Sequence, residues 1–229
     1  MTSDTPQSAA SIDPATQVGL LSLRVGDLAG SLAFYTEALG FSVLKRQDSS
    51  ATLGAAGTPL LLLQERPGAE PFPHDQYGYT GLYHFAILMP TRADLGRWIR
   101  HWLELGFPVP GQGDHLVSEA LYLTDPDGNG IEIYRDRPRS EWTWHNGQIQ
   151  MATGPVDIRG LLNDAAREGK PWEGMPAGTR LGHMHLQVGD IPRASTFYHN
   201  ILGFDIVAQM PSALFISAGG YHHHIGMNV

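Results

Sequence analysis

The pattern of apolar and polar residues is clearest in the middle of the chain, between residues 82 and 134. An apolar run at residues 82–89 predicts a strand, and residues 92–105 carry apolar side chains at helical spacing before a stop at Gly106. The side chains that recur at i, i+3, i+4, i+7 and i+8 are Leu95, Trp98, Ile99, Trp102 and Leu103. Strand-like runs at residues 120–123 and 130–134 follow. This stretch therefore predicts one strand, one helix and further strands.

Two other segments predict the same order, and they match each other at an offset of 163 residues. The matching pieces are Val-Gly-Asp-Leu at 25–28 with Val-Gly-Asp-Ile at 188–191, Phe-Tyr at 34–35 with 197–198, and Leu-Gly-Phe at 39–41 with 202–204. Each copy predicts a first strand, an Asp helix cap, a helix of about three turns and a Gly stop. The predicted strands are residues 20–25, 42–45, 51–53 and 60–63 in one copy, and 183–188, 205–208, 213–217 and 222–228 in the other.

The repeat divides the chain into three βαβββ units, at residues 18–66, 80–135 and 180–229. The first two units are expected to form one domain, with the third as an incomplete second domain. Residues 136–179 are rich in charge, Gly and Pro and predict a linker with a short helical piece near 158–167. Residues 1–17, rich in Ser, Thr, Ala and Pro, are expected to be a disordered leader.

Composition narrows the partners and the chemistry. The 229 residues are 42% apolar, the net charge is −8, and the 15 Lys and Arg form no basic run. Nucleic acid and anionic membranes are therefore not expected as partners. Neither a signal peptide nor a long apolar run is apparent, which predicts a cytoplasmic protein. Because the chain has no Cys, any metal must be held by His and carboxylates, as suits iron or manganese.

Repeated βαβββ units are typical of the vicinal-oxygen-chelate superfamily of glyoxalases, bleomycin-resistance proteins and extradiol dioxygenases, and the chain resembles it from Val18 onward. The resemblance implies an α+β fold in which units pair and their strands curl into an open barrel around a metal. The order of units most resembles a bacterial catechol 2,3-dioxygenase-like branch with four units. Here the sequence ends directly after the third, so the fourth has no counterpart.

The resemblance also implies where metal ligands lie, since the superfamily places them on the first and last strands of each unit. Aligning the units puts Leu20 at the first-strand position and Leu62 or its neighbour at the last-strand position of unit one, which offers no ligand. Units two and three offer His84, Glu132 and His183. The resemblance implies that these residues hold Fe(II), or Mn(II), as two imidazoles and one carboxylate with an open face.

Other histidines compete for these roles. His185 would share a strand face with His183, so the two residues could exchange places. A lone His is more often an ordinary core or surface residue than a ligand. That ordinary role is expected for His74, His101, His145 and His199.

A second match resembles the extradiol dioxygenase signature. That signature runs from Gly-x-His through a spacer to an apolar residue and Tyr, then Asp-Pro, Gly and Glu. The chain carries Gly-Asp-His at 113–115, Leu-Tyr at 121–122, Asp-Pro-Asp-Gly at 125–128 and Glu132. The resemblance implies that Glu132 is the carboxylate ligand, while His115 and Tyr122 are catalytic residues that donate to the substrate or the bound oxygen.

The run of three histidines at residues 222–224 completes the expected site. Extradiol enzymes use a His from the last strand of the unit without the Glu as an acid and base. If the run lies in a strand, His222 and His224 share one face and His223 points the other way. We expect His224 to hold this catalytic role, since a neutral imidazole can take and return a proton near neutral pH.

The expected activity is ring cleavage of a catechol by O2, next to its two oxygens. Units two and three must then pair across the linker; if units one and two pair instead, His183 would have to come from a second chain. A homo-oligomer is expected. Two alternatives are a glyoxalase-like metal-dependent isomerase or transferase, and a metal-free module that binds aromatic compounds as resistance proteins do.

Overall fold

The computed structural model describes residues 11–71 and 79–229, and these form two main β-sheets. Unit one makes a four-stranded sheet of its own, in the order β1-β4-β3-β2. Its elements are β1 (Leu21–Val25), α1 (Leu28–Ala33), β2 (Ser42–Gln47), β3 (Ser50–Ala55) and β4 (Thr58–Glu65). A π-helical turn, Phe34–Ala38, continues α1. Asp27 caps α1 by accepting a hydrogen bond from the Ala29 amide, as the sequence predicts.

Units two and three share one eight-stranded sheet, in the order β12-β13-β14-β11-β5-β8-β7-β6. The elements of unit two are β5 (Gly81–Leu88), α2 (Arg92–Glu104), β6 (Gly111–Asp114), β7 (Ser118–Thr124) and β8 (Gly130–Asp136). Those of unit three are β11 (Arg180–Gln187), α4 (Ile191–Ser195) with a π-helical continuation Thr196–Ile201, β12 (Asp205–Met210), β13 (Ala213–Ser217) and β14 (Ile225–Asn228). The predicted α+β fold with repeated βαβββ units in curled sheets is confirmed.

The two units join where their first strands, β5 and β11, run antiparallel. Within each unit the first strand pairs in parallel with the last, β5 with β8 and β11 with β14. All four strands therefore lie side by side at the centre of the sheet. The alternative in which units one and two pair is not observed, so no second chain is needed to bring His183 near the other expected ligands.

The residues between units two and three contain two short strands and a helix, and they are packed against the units. The elements are β9 (Trp144–His145), β10 (Gln148–Ile149) and α3 (Ile158–Glu168). Helix α3 packs so closely on α2 that a side chain at Gly96 would collide with the Leu161 carbonyl. The predicted helical piece thus covers the outer face of unit two.

Unit one docks on the turn between β7 and β8. Asp125 accepts a 2.7 Å hydrogen bond from the Tyr35 hydroxyl, and Asp127 accepts one of 2.7 Å from the Gly26 amide. A shared apolar core joins unit one to the helix side of unit two; among its members are Leu28, Tyr35, Leu61, Phe85 and Trp98. The Asp-Pro-Asp-Gly segment therefore binds two units together.

The expected leader is described only from residue 11 onward, and this part contacts unit three. The Ile12 amide donates to the Gly203 carbonyl at 3.0 Å, and its side chain packs on the core of that unit. These contacts hold Ile12 against unit three. Within the described residues, no helix is long and apolar enough to span a membrane.

Candidate metal centre and substrate cavity

Three buried side chains from units two and three meet on the concave side of the eight-stranded sheet. The Glu132 carboxylate oxygen Oε2 lies 3.1 Å from Nε2 of His84 and 3.1 Å from Nε2 of His183. The candidate ligand atoms all lie within 4.8 Å of one another. The structure therefore brings together all three residues that the sequence analysis proposed as metal ligands.

Strand alternation explains two of these positions. On β5, Phe85 and Ile87 face the helices and His84 faces the cavity. On β8, Ile131 and Ile133 belong to the same helix-side core, and Glu132 lies between them on the concave face. Parallel pairing of these strands sets Ala86 opposite Glu132, so His84 and Glu132 are diagonal neighbours on one face.

A β-bulge explains the third position. Leu181 packs in the helix-side core, and regular alternation would then send His183, two residues later, to that face as well. The pairing instead steps from Leu181 with Ile87 directly to His183 with Ala86, which leaves Gly182 as an extra residue. The extra residue turns His183 toward Glu132. A side chain at Gly182 would collide with the Tyr134 hydroxyl.

Burial and the neighbouring histidines shift the pKa of Glu132 in opposite directions. Burial alone raises the pKa of Glu132, but the neighbouring His183 and His84 rings hold it well below its usual value. Burial lowers the pKa of His183, which favours the neutral ring with a free lone pair. An ionised Glu132 beside a neutral His183 ring is the protonation state that metal binding needs.

The donor set fits a divalent metal. Nε2 of His84 is buried and lacks a hydrogen-bond partner within the described residues, although it lies close to the carboxylate. Ligand atoms at roughly 2.1 Å from an ion and at right angles to each other lie roughly 3 Å apart, which matches the two 3.1 Å separations here. An ion at this point would satisfy the unpartnered nitrogen and offset the cost of burying Glu132. His84, Glu132 and His183 could therefore hold a metal.

The cluster lies in the wall of a cavity of about 790 Å³. Apolar and aromatic side chains from three parts of the chain line the rest of it. They include Tyr83, Val117, Met151, Met210 and Phe215. The sequence analysis did not single these residues out, because nothing in the pattern of β12, β13 or the linker marks a cavity wall. A cavity of this size admits a small organic molecule.

His115 and Tyr122 lie together in the cavity, as the signature implies. The Tyr122 hydroxyl is 2.6 Å from Nε2 of His115, and Nδ1 of His115 is 2.9 Å from the Ala152 carbonyl of the linker. Because a carbonyl only accepts, Nδ1 carries the proton and Nε2 accepts from the Tyr122 hydroxyl. Burial, and then the charge of Glu132, raise the pKa of Tyr122, which keeps its phenol protonated.

His224 is not in this cavity, so its predicted placement is wrong. The last strand, β14, begins only at Ile225, and strand alternation does not apply to the three histidines before it. Two left-handed glycines, Gly219 and Gly220, turn the chain just ahead of them. Nδ1 of His224 accepts a 3.1 Å hydrogen bond from the Ala218 amide, which commits this ring to holding the loop.

His223 occupies the place expected of His224. It lines the cavity, and its ring centroid lies 4.2 Å from that of His183 and 5.1 Å from that of Phe215. Burial lowers the pKa of His223 well below its usual value, so the ring is neutral. The Gly-Gly pair before the three histidines was the available signal that a loop, rather than a strand, carries them.

His185 also lines the cavity but lies outside the three-residue cluster. It sits opposite His84 across the β5–β11 pair, with ring centroids 4.9 Å apart. Burial lowers its pKa to about 3. Gly226 of the last strand, β14, pairs with His185, and a side chain at Gly226 would collide with the His185 ring. Unit three thus has no side chain at the place where unit two has Glu132.

The histidines expected to have ordinary roles make ordinary contacts where they are described. His101 stacks on Trp172, and His199 binds the Phe204 carbonyl at 2.6 Å. His145 is exposed on β9, and His74 lies outside the described residues. In unit one, Leu20 is exposed next to a separate sheet, and its apolar side chain cannot bind a metal.

Comparison with known proteins agrees with this geometry. The profile of the Glyoxalase/Bleomycin resistance protein/Dioxygenase superfamily matches residues 17–133 and 180–229, which are the three units without the linker. The chain belongs to this superfamily. It is 50% identical over 223 residues to a catechol-2,3-dioxygenase of Bacillus subtilis (strain 168), covering 96% of this chain and 76% of that protein.

Two solved structures of lower sequence identity share the fold. The solved structure of a proposed dioxygenase from Bacillus subtilis subsp. subtilis strain 168 superposes with a TM-score of 0.62 at 14% identity. The match covers 96% of this chain but 64% of that one, so the present chain spans less than two thirds of it. A glyoxalase I variant from Zea mays gives a TM-score of 0.53 at 19% identity, covering 93% of this chain and 67% of that one.

Proposed function

We propose that this superfamily member is an extradiol dioxygenase that opens catechol-type rings with O2 in the breakdown of aromatic compounds. The observation that carries the proposal is the convergence of His84, Glu132 and His183 on one wall of a small-molecule cavity. The similarity to a catechol-2,3-dioxygenase over almost the whole chain supports it. So does the pairing of His115 with Tyr122, the two other residues of the extradiol signature.

His84, His183 and Glu132 would hold Fe(II), or Mn(II), between units two and three. A metal bound by two imidazoles and one carboxylate would supply open coordination positions and the electron transfer that lets O2 react with an aromatic ring. The protein's own part is to hold the ring, keep the three ligands in their binding protonation states and move protons. Its buried carboxylate also lowers the positive charge that remains on the site.

Three side chains around the cluster are placed to handle substrate protons. Tyr122 donates its hydroxyl proton to His115, so the Tyr122 oxygen still has lone pairs that can accept from a substrate hydroxyl. His223 replaces His224 as the expected base, because it lines the cavity beside His183. Its neutral ring can take a proton from the catechol and return it to the product.

The cavity walls suit a flat aromatic diol. Phe215 and Met210 of unit three line the cavity together with Val117 of unit two and Met151 of the linker, so an apolar ring would contact apolar side chains. Small apolar pockets with a few polar groups are typical of enzymes that bind small molecules. Which substituents the ring carries depends on these four side chains.

Oxygen uptake tests the proposal against the other activities of the superfamily. The protein is loaded anaerobically with Fe(II), mixed with catechol and then exposed to air. The expected result is consumption of one O2 per catechol and formation of a yellow ring-opened product. No uptake with a panel of substituted catechols after loading with Fe(II) or Mn(II) would reject the proposal. Isomerisation of a glutathione hemithioacetal without O2 would point to a glyoxalase, and tight binding of a catechol without stoichiometric metal would point to a resistance-type module.

A pair of histidine variants tests whether ring cleavage depends on the candidate metal ligands. His84→Ala should abolish ring cleavage. His101→Ala removes an imidazole that contacts a carbonyl of unit one and stacks on Trp172, and it should leave the cleavage rate unchanged. Equal losses in both variants would mean that the measured loss reflects instability and not a missing ligand. The cytoplasmic location, the absence of nucleic-acid and membrane partners and the homo-oligomeric state are part of the same proposal, and each needs its own measurement.

A further inference from the structure

A chain of hydrogen bonds runs from the carboxylate of Asp136, behind the cavity, to the ring of His223 inside it. Nε2 of His222 lies 2.8 Å from Oδ1 of Asp136, and Nδ1 of His222 lies 2.8 Å from Nδ1 of His223. His222 is fully buried between its two partners. None of the roles derived above for the site uses Asp136 or His222.

The donors and acceptors in this chain run in one direction when Asp136 is ionised and His222 carries a single ring proton. A carboxylate accepts hydrogen bonds and donates none, so Nε2 of His222 must carry the proton. In the neutral His222 ring, Nδ1 is then an unprotonated acceptor. The proton between the two rings must therefore belong to Nδ1 of His223, and Nε2 of His223 is left with a free lone pair.

That lone pair is the group a base in the cavity needs. Nδ1 of His223 is engaged with His222, which leaves Nε2, at the opposite corner of this cavity-lining ring, as the nitrogen that can meet a substrate. The other neutral tautomer would place a proton on Nε2 and could not accept one there. The tautomer of His223 thus decides whether this ring can act as a base.

Two tyrosines hold the carboxylate that sets this order. The Tyr221 hydroxyl lies 3.0 Å from Oδ2 of Asp136, and the Tyr134 hydroxyl lies 2.7 Å from that of Tyr221. Since Tyr221 donates to the carboxylate, it accepts from Tyr134. Both phenols are buried, and burial raises their pKa values, so both keep their protons. Tyr221 thereby holds the Asp136 carboxylate independently of His222, and Tyr134 holds Tyr221.

We propose that Asp136 and His222 are positioning residues that fix His223 in the tautomer with Nε2 unprotonated, and so prepare it to act as the base of the reaction. The catalytic part of this inference rests on the proposed dioxygenase function. The tautomer part does not, because it follows from hydrogen bonds of the protein itself.

Nitrogen NMR of the metal-free full-length chain with 15N-labelled histidine tests the tautomer directly. The His223 signals are assigned by their loss in His223→Gln. We expect Nδ1 of His223 to show the shift of a protonated nitrogen and Nε2 that of an unprotonated one. Asp136→Asn keeps the size of the side chain but can turn an amide N–H toward His222, which allows the chain to reverse, so Nε2 of His223 should become protonated in part. A wild-type ring protonated at Nε2, or a His223 tautomer unchanged in Asp136→Asn, would overturn the proposal.

Kinetics test the consequence. In Asp136→Asn, kcat for catechol cleavage should fall about 10- to 100-fold with KM changed less than about 2-fold, because the base is impaired and the substrate pocket is not. Asp205→Asn, which changes an exposed carboxylate of unit three, should leave both constants unchanged. In a His222→Gln or His222→Phe background the Asp136→Asn change should have no further effect, since its influence passes through His222.

The outcomes separate this inference from the proposed function. A shifted tautomer with an unchanged kcat would overturn the positioning role. An additive loss in the double variants would overturn the route through His222. If the wild-type protein shows the expected tautomer but consumes no O2 with any catechol, the dioxygenase proposal and the catalytic part of this inference both fail, while the tautomer assignment stands.

Discussion

Gly113 lies directly against the ring of His115, and a methyl group at Gly113 would stand 2.6 Å from Nε2 of that ring. The glycine of the signature therefore makes room for its own histidine. Gly113→Ala should displace the ring and break its 2.6 Å contact with the Tyr122 hydroxyl. We expect kcat/KM for catechol to fall by about 10- to 100-fold, the scale of a misplaced active-site group.

A second glycine provides the control for this prediction. Gly154 pairs with Asp114 next to the same strand, but a methyl group there would meet only the Asp114 carbonyl at 3.9 Å. Gly154→Ala should keep the wild-type kcat/KM. If Gly113→Ala is as active as Gly154→Ala, the ring of His115 has no part in the rate.

The Tyr35–Asp125 hydrogen bond predicts that Tyr35 contributes more to stability than Tyr198, the equivalent residue of unit three. Tyr35→Phe removes a buried donor to the carboxylate that holds unit one on unit two, and the free energy of unfolding should fall by about 1–3 kcal/mol. Tyr198 is the equivalent residue of unit three, and its hydroxyl makes no hydrogen bond in the part of the chain that the structure describes. Tyr198→Phe should change stability by less than about 0.5 kcal/mol in urea unfolding. Equal effects would show that the Asp125 contact adds nothing.

Glu119 predicts a larger loss of stability. Its buried carboxylate lies 2.8 Å from Nε of Arg92 and 2.6 Å from Nε of Arg135, and so ties β7 to α2 and β8. Glu119→Gln would leave buried Arg135 without its charged partner, at a cost of about 3–5 kcal/mol. Glu168→Gln, at the exposed end of an ion pair with Arg97, should have a much smaller effect. Similar unfolding midpoints for the two variants would contradict this account.

The pKa of Glu119 predicts how the loss of stability in Glu119→Gln depends on pH. Burial alone raises the pKa of Glu119, but Arg92 and Arg135 lower it below its ordinary value of 4.5 in the folded protein. Its contribution is therefore complete above pH 4.5 and is lost as the pH falls through the folded value. The stability gap between wild type and Glu119→Gln should be constant from pH 6 to 8, and should narrow below about pH 4.5. A gap that widens on acidification would contradict the assigned direction.

The sequence was informative wherever a repeat or periodicity constrained it. Equivalent positions in the units located His84 and His183, and the short signature located His115, Tyr122 and Glu132; the structure brings all five to one cavity. Their position on the first and last strands of paired units follows from the topology, because those strands are neighbours at the centre of the sheet.

What the sequence could not predict depended on departures from regular structure. The bulge at Gly182 decides which way His183 faces, and alternation along β11 alone would have turned it toward the helices. The apolar residues after the three histidines predict a strand that includes them and so place His224 in the cavity, whereas β14 begins only at Ile225 and His223 lines the cavity. The linker residues that close the cavity, such as Met151 and Ala152, reach it only through long-range packing.

The central claim is that side chains of two different units hold one metal ion, and iron binding to the metal-free chain tests it most directly. Anaerobic Fe(II) titration followed by calorimetry should give about one site per chain in the wild-type protein. His183→Ala and Glu132→Gln should each abolish that site while keeping the wild-type circular dichroism spectrum, and Glu168→Gln should bind as the wild type does. Unchanged Fe(II) stoichiometry and affinity in both His183→Ala and Glu132→Gln would contradict the claim.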